Sequence, residues 1–215
     1  MQYKIEVFCD NDLNANTYLI YNETSCFIID PANSVNTLSK YIADKTVLGI
    51  FLTHGHYDHF RSLKELLEKY QTKVYMHKNA FSKLSNTKTS YSLMFGCYAP
   101  TNISSDSVVY VKDNDKIVLD DFTIKCWYTP GHTDCMMSYI LDENLFSGDF
   151  VFKGSIGRCD LETSDKSKMF NSITQLKNRK TNFTIYPGHD DQTTLDDEKH
   201  NNIYLDDNNI RLVFE

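Results

Sequence analysis

The chain has no long apolar run, no surplus of positive charge and no C-x-x-C pair. Each absence removes a class of protein. A membrane-spanning helix needs about 20 consecutive apolar residues, and the longest runs here are only a few residues, so no span and no membrane partner are expected. The opening residues, M-Q-Y-K-I-E-V-F-C-D, lack the apolar block and small-residue cleavage site of a signal peptide, and the expectation is a cytoplasmic protein. The net charge is −7. Nucleic-acid binders carry a basic stripe, so no nucleic-acid partner is expected. The 6 cysteines are scattered, in a setting wrong for a disulfide framework. Cys26 and Cys126 sit in apolar runs and read as core. No linker, low-complexity tract or internal repeat interrupts the chain, so residues 1–215 read as one domain around one substantial core.

What the sequence has instead is histidine in glycine-flanked turns. His54, His56, Asp58 and His59 share the stretch T-H-G-H-Y-D-H. His132 follows in P-G-H-T, Asp149 in S-G-D and His189 in Y-P-G-H. Imidazole and carboxylate together suit borderline and hard divalent metals such as zinc, iron or manganese. Seven such donors are too many for one tetrahedral ion and suit two ions sharing a bridging group.

The pattern around these motifs alternates strand and helix, an α/β arrangement. Tyr3–Phe8, Thr17–Tyr21 and Cys26–Ile29 read as strands, and Ser34–Asp44 as a short helix. Val47–Leu52 is a nearly continuous apolar run, as expected of a strand buried on both faces. It stops at Thr53-His54. Asp58–Tyr70 then shows a helical stripe, with Asp58 suited to cap it. Phe122–Tyr128, Asn144–Phe146 and Phe183–Tyr186 read as strands that stop at His132, Asp149 and His189 respectively. Asp165–Lys177 is a further amphipathic helix. Four strand ends thus deliver the donors to one crevice, the usual site geometry of layered α/β proteins.

Within H-x-H-x-D-H, two histidines one residue apart reach one ion from an extended turn. Asp58 and His59, at the start of a helix, point elsewhere and reach a second.

The motifs T-H-G-H-Y-D-H, P-G-H-T, S-G-D and Y-P-G-H, in that order, resemble those of the metallo-β-lactamase superfamily. The stretches L-F-S-G-D-F-V-F-K-G-S-I-G-R-C-D-L and P-G-H-D-D-Q-T-T-L-D-D-E-K-H-N-N resemble its glyoxalase II (hydroxyacylglutathione hydrolase) branch. The resemblance implies a four-layer αββα sandwich with metals at one edge. It implies that His54, His56 and His132 hold one ion, that Asp58, His59 and His189 hold another, and that Asp149 bridges them. The cofactors are then two divalent ions, zinc first, with iron or manganese accepted by the same donors. The implied reaction is thioester hydrolysis by a metal-bridging hydroxide, with Asp58 and Asp149 acting through that hydroxide and a small-molecule thioester as substrate. The alternative is a persulfide dioxygenase-like oxidoreductase using one iron.

After His189 no helical C-terminal domain like that of full-length glyoxalase II is expected. Arg158 falls where related enzymes place a basic residue near glutathione, and it is equally placed to pair with Asp160. Tyr57, between ligands, is a candidate for lining the pocket. Asp30 reads either as a turn former with Pro31 or as a group orienting a histidine ligand. Family members often continue G-H-T with P-G, where this chain has Asp134-Cys135. Cys135 and Cys159 lie near site residues and are open as ligands or nucleophiles, although the histidine set is complete without them. His77 and His200 read as ordinary histidines, and Trp127 as core. A monomer or homodimer is expected.

Overall fold

The computed structural model describes residues 2–98 and 100–206. Two six-stranded sheets face each other. The first holds β1 (Lys4–Cys9), β2 (Asn16–Tyr21), β3 (Ser25–Ile29), β4 (Thr46–Phe51), β5 (Val74–His77) and β6 (Val108–Val111), in that spatial order. Its first three strands are antiparallel, and β3 to β6 run parallel. The second contains β7 (Lys116–Leu119), β8 (Phe122–Tyr128), β9 (Met137–Leu141), β10 (Asn144–Gly148), β13 (Thr184–Pro187) and β14 (Thr193–Thr194). Between β10 and β13 lies a small separate hairpin of β11 (Val151–Phe152) and β12 (Ser155–Ile156).

Side-chain alternation makes these sheets pack on both faces. In β2 and β3, Tyr18, Ile20, Phe27 and Ile29 point into the layer between the sheets, where they meet Phe122, Ile124, Met137, Tyr139 and Phe146 of the second sheet. The residues between them, Leu19, Cys26 and Ile28, point the other way into a second core. That outer core is closed by α1 (Val35–Ile42), the short α2 (Tyr57–Phe60), α3 (Leu63–Tyr70) and α4 (Lys78–Leu84). The far face of the second sheet is covered by α5 (Lys166–Lys177) and α6 (Leu195–Asn201), through Met169, Ile173, Leu176 and Leu195. The layers therefore run helix, sheet, sheet, helix, the four-layer αββα sandwich expected from the motifs. Trp127 belongs to the outer core of the second sheet, with Arg179 over its ring at 4.3 Å. No helix among the described residues is long and apolar enough to cross a membrane.

One expected helix is divided. Asp58–Tyr70 forms α2 and α3 with a break at Arg61–Ser62. The Ser62 N–H donates to the Pro31 carbonyl at 3.0 Å rather than to its own helix, so the ladder stops and restarts. Asp58 is not the helix cap either. His56 holds that position, and Asp58 falls in the first turn, which leaves its carboxylate free to face the site. Asp165 does cap α5, accepting from the Lys168 N–H.

Candidate metal centre

The ends of β4, β8, β10 and β13 converge at one edge of the sandwich. The turn after β4 carries His54 and His56 and leads into α2, which holds Asp58 and His59. The turns after β8, β10 and β13 carry His132, Asp149 and His189. These residues come from four separate stretches, yet their donor atoms cluster. One group within 4.8 Å is His54, His56 and His132, and another is Asp58, His59 and His189. Asp149 lies against both: Oδ2 is 3.4 Å from His132 Nε2, and Oδ1 is 3.3 Å from His59 Nε2. A fifth strand end, that of β3, supplies Asp30, which also groups with His54 and His59.

Close approach here depends on glycine. A Cβ on Gly188 would collide with Asp149 Oδ1 and would stand 2.7 Å from His59 Cε1. Gly148, at φ 53°, sits against Thr53 in a conformation glycine adopts without penalty.

The cluster is dry, with His54 and His59 fully buried and His56, Asp58, His132 and Asp149 nearly so. His189 is the open side, its side chain 23% exposed. Four imidazoles are turned by acceptors behind them. His59 Nδ1 is 2.9 Å from Asp30 Oδ2, and a carboxylate only accepts, so Nδ1 carries the proton. His132 Nδ1 donates to the Arg158 carbonyl at 2.9 Å, and His189 Nδ1 to the Asn14 carbonyl at 2.7 Å. Thr53 Oγ1 gives its proton to Asp30 at 2.6 Å, leaving it to accept from His54 Nδ1 at 3.0 Å. In each neutral ring the remaining nitrogen, Nε2, then offers a lone pair to the site.

Several donor atoms of the cluster lack hydrogen-bond partners. Nε2 of His54, His56 and His59, with Oδ1 of Asp149, are buried without a hydrogen bond, a costly state unless something else satisfies them. His132 Nε2 and His56 Nδ1 face each other at 3.0 Å, a gap held by one shared proton or one shared cation. Burial, reinforced by neighbouring imidazoles, holds His54 well below the usual histidine range, and burial with His132 beside it brings His56 down to about 3. His132 is lowered mainly by burial. These three rings are therefore neutral, as ligands must be. For His59 burial works against the charge, but Asp149, Asp58 and Asp30 outweigh it and hold its pKa well above the ordinary value. Burial likewise opposes charge on Asp149, and His59 and His189 outweigh it, so Asp149 stays ionised. The donor set fits divalent cations.

A family model described as "Metallo-beta-lactamase superfamily" matches residues 10–189. The chain belongs to the metallo-β-lactamase superfamily. Within the superfamily it is 30% identical over 198 residues to the "Probable metallo-hydrolase YqgX" of Bacillus subtilis (strain 168), covering 90% of this chain and 93% of that protein. It is 27% identical to a hydroxyacylglutathione hydrolase of Francisella tularensis subsp. novicida (strain U112), covering 85% of this chain and 66% of that enzyme. The crystal structure of BLEG-1 B3 metallo-beta-lactamase superposes with a TM-score of 0.85 at 27% identity, covering 94% of this chain and 99% of that one. The chain is thus a superfamily metallohydrolase with a metal-binding His/Asp cluster.

Around this superfamily centre the fold places the remaining candidate residues. The ring against the cluster is Tyr91, edge-on to His56 with centroids 5.1 Å apart. Phe152 approaches His189 at 6.0 Å. Tyr57 instead packs with Phe60 and Phe95 beside the helical core, and burial and a hydrogen bond with Cys97 push its hydroxyl up to about 12. The Arg158 side chain is exposed and forms a two-pronged pair with Asp160, at 2.6 and 2.7 Å; its carbonyl is what touches the site. Cys135 is buried and bonded to Thr133, and burial pushes its thiol up to about 11. Cys159 is pushed up to about 11 by the same cause. Neither falls in a metal-holding group among the described residues. His77 stacks on Tyr128, and His200 bonds its own helix.

The orienting groups that the sequence reading missed are the Asn14 and Arg158 carbonyls and Thr53. Backbone acceptors leave no mark on residue identity. The Tyr91 ring had no signal, because it is distant in sequence from every motif.

Proposed function

We propose that the chain is a dinuclear metallohydrolase that cleaves a small-molecule thioester. The observation that carries this reading is the contact of Asp149 with both donor groups, which is what a bridging carboxylate requires. On this reading His54, His56 and His132 hold one ion, Asp58, His59 and His189 hold the other, and Asp149 is shared. Divalent ions there would supply Lewis acidity and a water deprotonated near pH 7.

The protein's own share is positioning. Asp30, Thr53 and the Asn14 and Arg158 carbonyls fix the imidazole planes. Burial excludes bulk water from all but the His189 side. Tyr91 packs edge-on to His56 and Phe152 edge-on to His189. A thiolate leaves without a proton donor, so thioester cleavage asks for no general acid beyond this set. The similarity to a hydroxyacylglutathione hydrolase supports the thioester class.

Metal analysis followed by a hydrolysis panel on the same sample tests the proposal. Two ions per chain and turnover of S-lactoylglutathione or a simpler acyl thioester are expected. One iron per chain with oxygen uptake on glutathione persulfide would overturn it, as would turnover confined to β-lactams.

A further inference from the structure

Lys83 is only 4% exposed. Lysine is almost never so buried unless its charge is paired. Its Nζ lies 2.8 Å from Asp134 Oδ1, an electrostatic contact rather than a well-angled hydrogen bond. Asp134 is fixed from other directions: Oδ2 accepts from Asn79 Nδ2 at 3.0 Å, and the carbonyl accepts from the Tyr128 hydroxyl at 3.0 Å.

The same lysine reaches a second loop. Its stem lies directly against Gly55, where an added methyl would stand 2.8 Å from Lys83 Cβ and 3.0 Å from Cδ. Gly55 separates His54 from His56, and Asp134 is two residues beyond His132. Within the second loop the Thr133 hydroxyl is held by Cys135, 3.2 Å from its sulfur and accepting from its N–H at 3.3 Å. One side chain from α4 therefore touches the turn carrying His54 and His56 with its stem and the turn carrying His132 with its head.

We propose that Lys83 and Asp134 form a positioning pair that sets the spacing of His54, His56 and His132 and thereby the affinity for the ion held by those three. The inference rests on the reading of the two donor groups as two ion sites. Lys83 is buried and the Asp134 side chain half-buried; an ion pair in such a setting adds little net stability, and an apolar pair of similar volume commonly replaces it without loss. Its distinctive property is fixed geometry, and metal sites depend on ligand placement within about 0.5 Å. Loosening either loop lets the two halves of this group drift apart. The group of Asp58, His59 and His189 does not include either turn.

The test is zinc titration of the full-length apoprotein against a chromophoric chelator, with imidazole ¹H–¹⁵N spectra showing which histidines respond at each step. The variant is Lys83→Met with Asp134→Leu, which leaves no unpaired charge behind. The expected result is an unchanged apoprotein melting temperature and about 10–100-fold weaker binding at His54, His56 and His132, with the other group within about threefold of the unmodified protein. Asn79→Ala, which frees one Asp134 oxygen, should weaken the same group to a lesser degree and serves if the double variant does not fold. Unchanged affinity at the first group, or equal losses at both groups, would overturn the proposal. An unmodified protein that binds zinc at neither group would overturn the two-site reading itself, and is seen before any variant is made.

Discussion

Asp30 Oδ2 accepts from His59 Nδ1 at 2.9 Å while Asp30 Oδ1 accepts from the Thr53 N–H at 2.8 Å. One buried carboxylate thus orients a residue of one donor group directly and a residue of the other through Thr53, whose hydroxyl faces His54. It does so from a left-handed turn, φ 50°, which asparagine also tolerates. The turn-forming and orienting readings of Asp30 are compatible for that reason.

Asp30→Asn should keep the turn and lose the charge. Removing such a supporting partner typically costs 10–100-fold in metal affinity or activity. Chelator competition on the folded variant should show zinc affinity falling by about that factor, most at the group containing His59. Unchanged affinity at both groups would remove Asp30 from the machinery.

Cys135 gives a pH prediction independent of the ligands. Burial raises its folded thiol pKa from 9.0 to about 11. The unfolded chain therefore releases this proton first as pH rises. The stabilising contribution is fully present below pH 9.0 and is lost between there and about 11. Two units correspond to roughly 2–3 kcal/mol at most. Urea unfolding at stepped pH should show stability declining across that window, and Cys135→Ala should flatten the decline. Native-state alkylation at neutral pH should spare Cys135 and label the exposed Cys9.

The parts of the site that were legible in the sequence are those written in side-chain identity at short range. The run Val47–Leu52 ended where its donors began, and the turns after β8, β10 and β13 each announced one donor with an adjacent glycine. What was not legible depends on distant partners. The break between α2 and α3 exists because Ser62 bonds Pro31, a loop neighbour only in the folded chain. The tilt of His132 and His189 depends on the carbonyls of Arg158 and Asn14, a function any residue at those positions performs. Nothing local marks Lys83 as buried, because its partner Asp134 is met only in the folded chain. Tyr57 lies between donors in sequence, but the fold turns it toward the core; of the two placements open to Arg158, the fold takes the pair with Asp160.

The bridging role proposed for Asp149 separates from that of any single-group ligand by stoichiometry. His189→Ala removes one donor from one group and leaves His54, His56 and His132 whole, so it should lower the metal content from two ions to about one per chain. Asp149→Ala touches both groups. It also leaves His59 and His189 without the carboxylate that draws charge toward them. Metal analysis after dialysis should find both ions lost and thioester turnover abolished. Because Asp149 is buried among imidazoles, the variant's fold must be verified by circular dichroism on the same sample. A folded Asp149→Ala protein that still retains two ions would show that each group holds its ion unaided, and the dinuclear mechanism would lose its shared ligand.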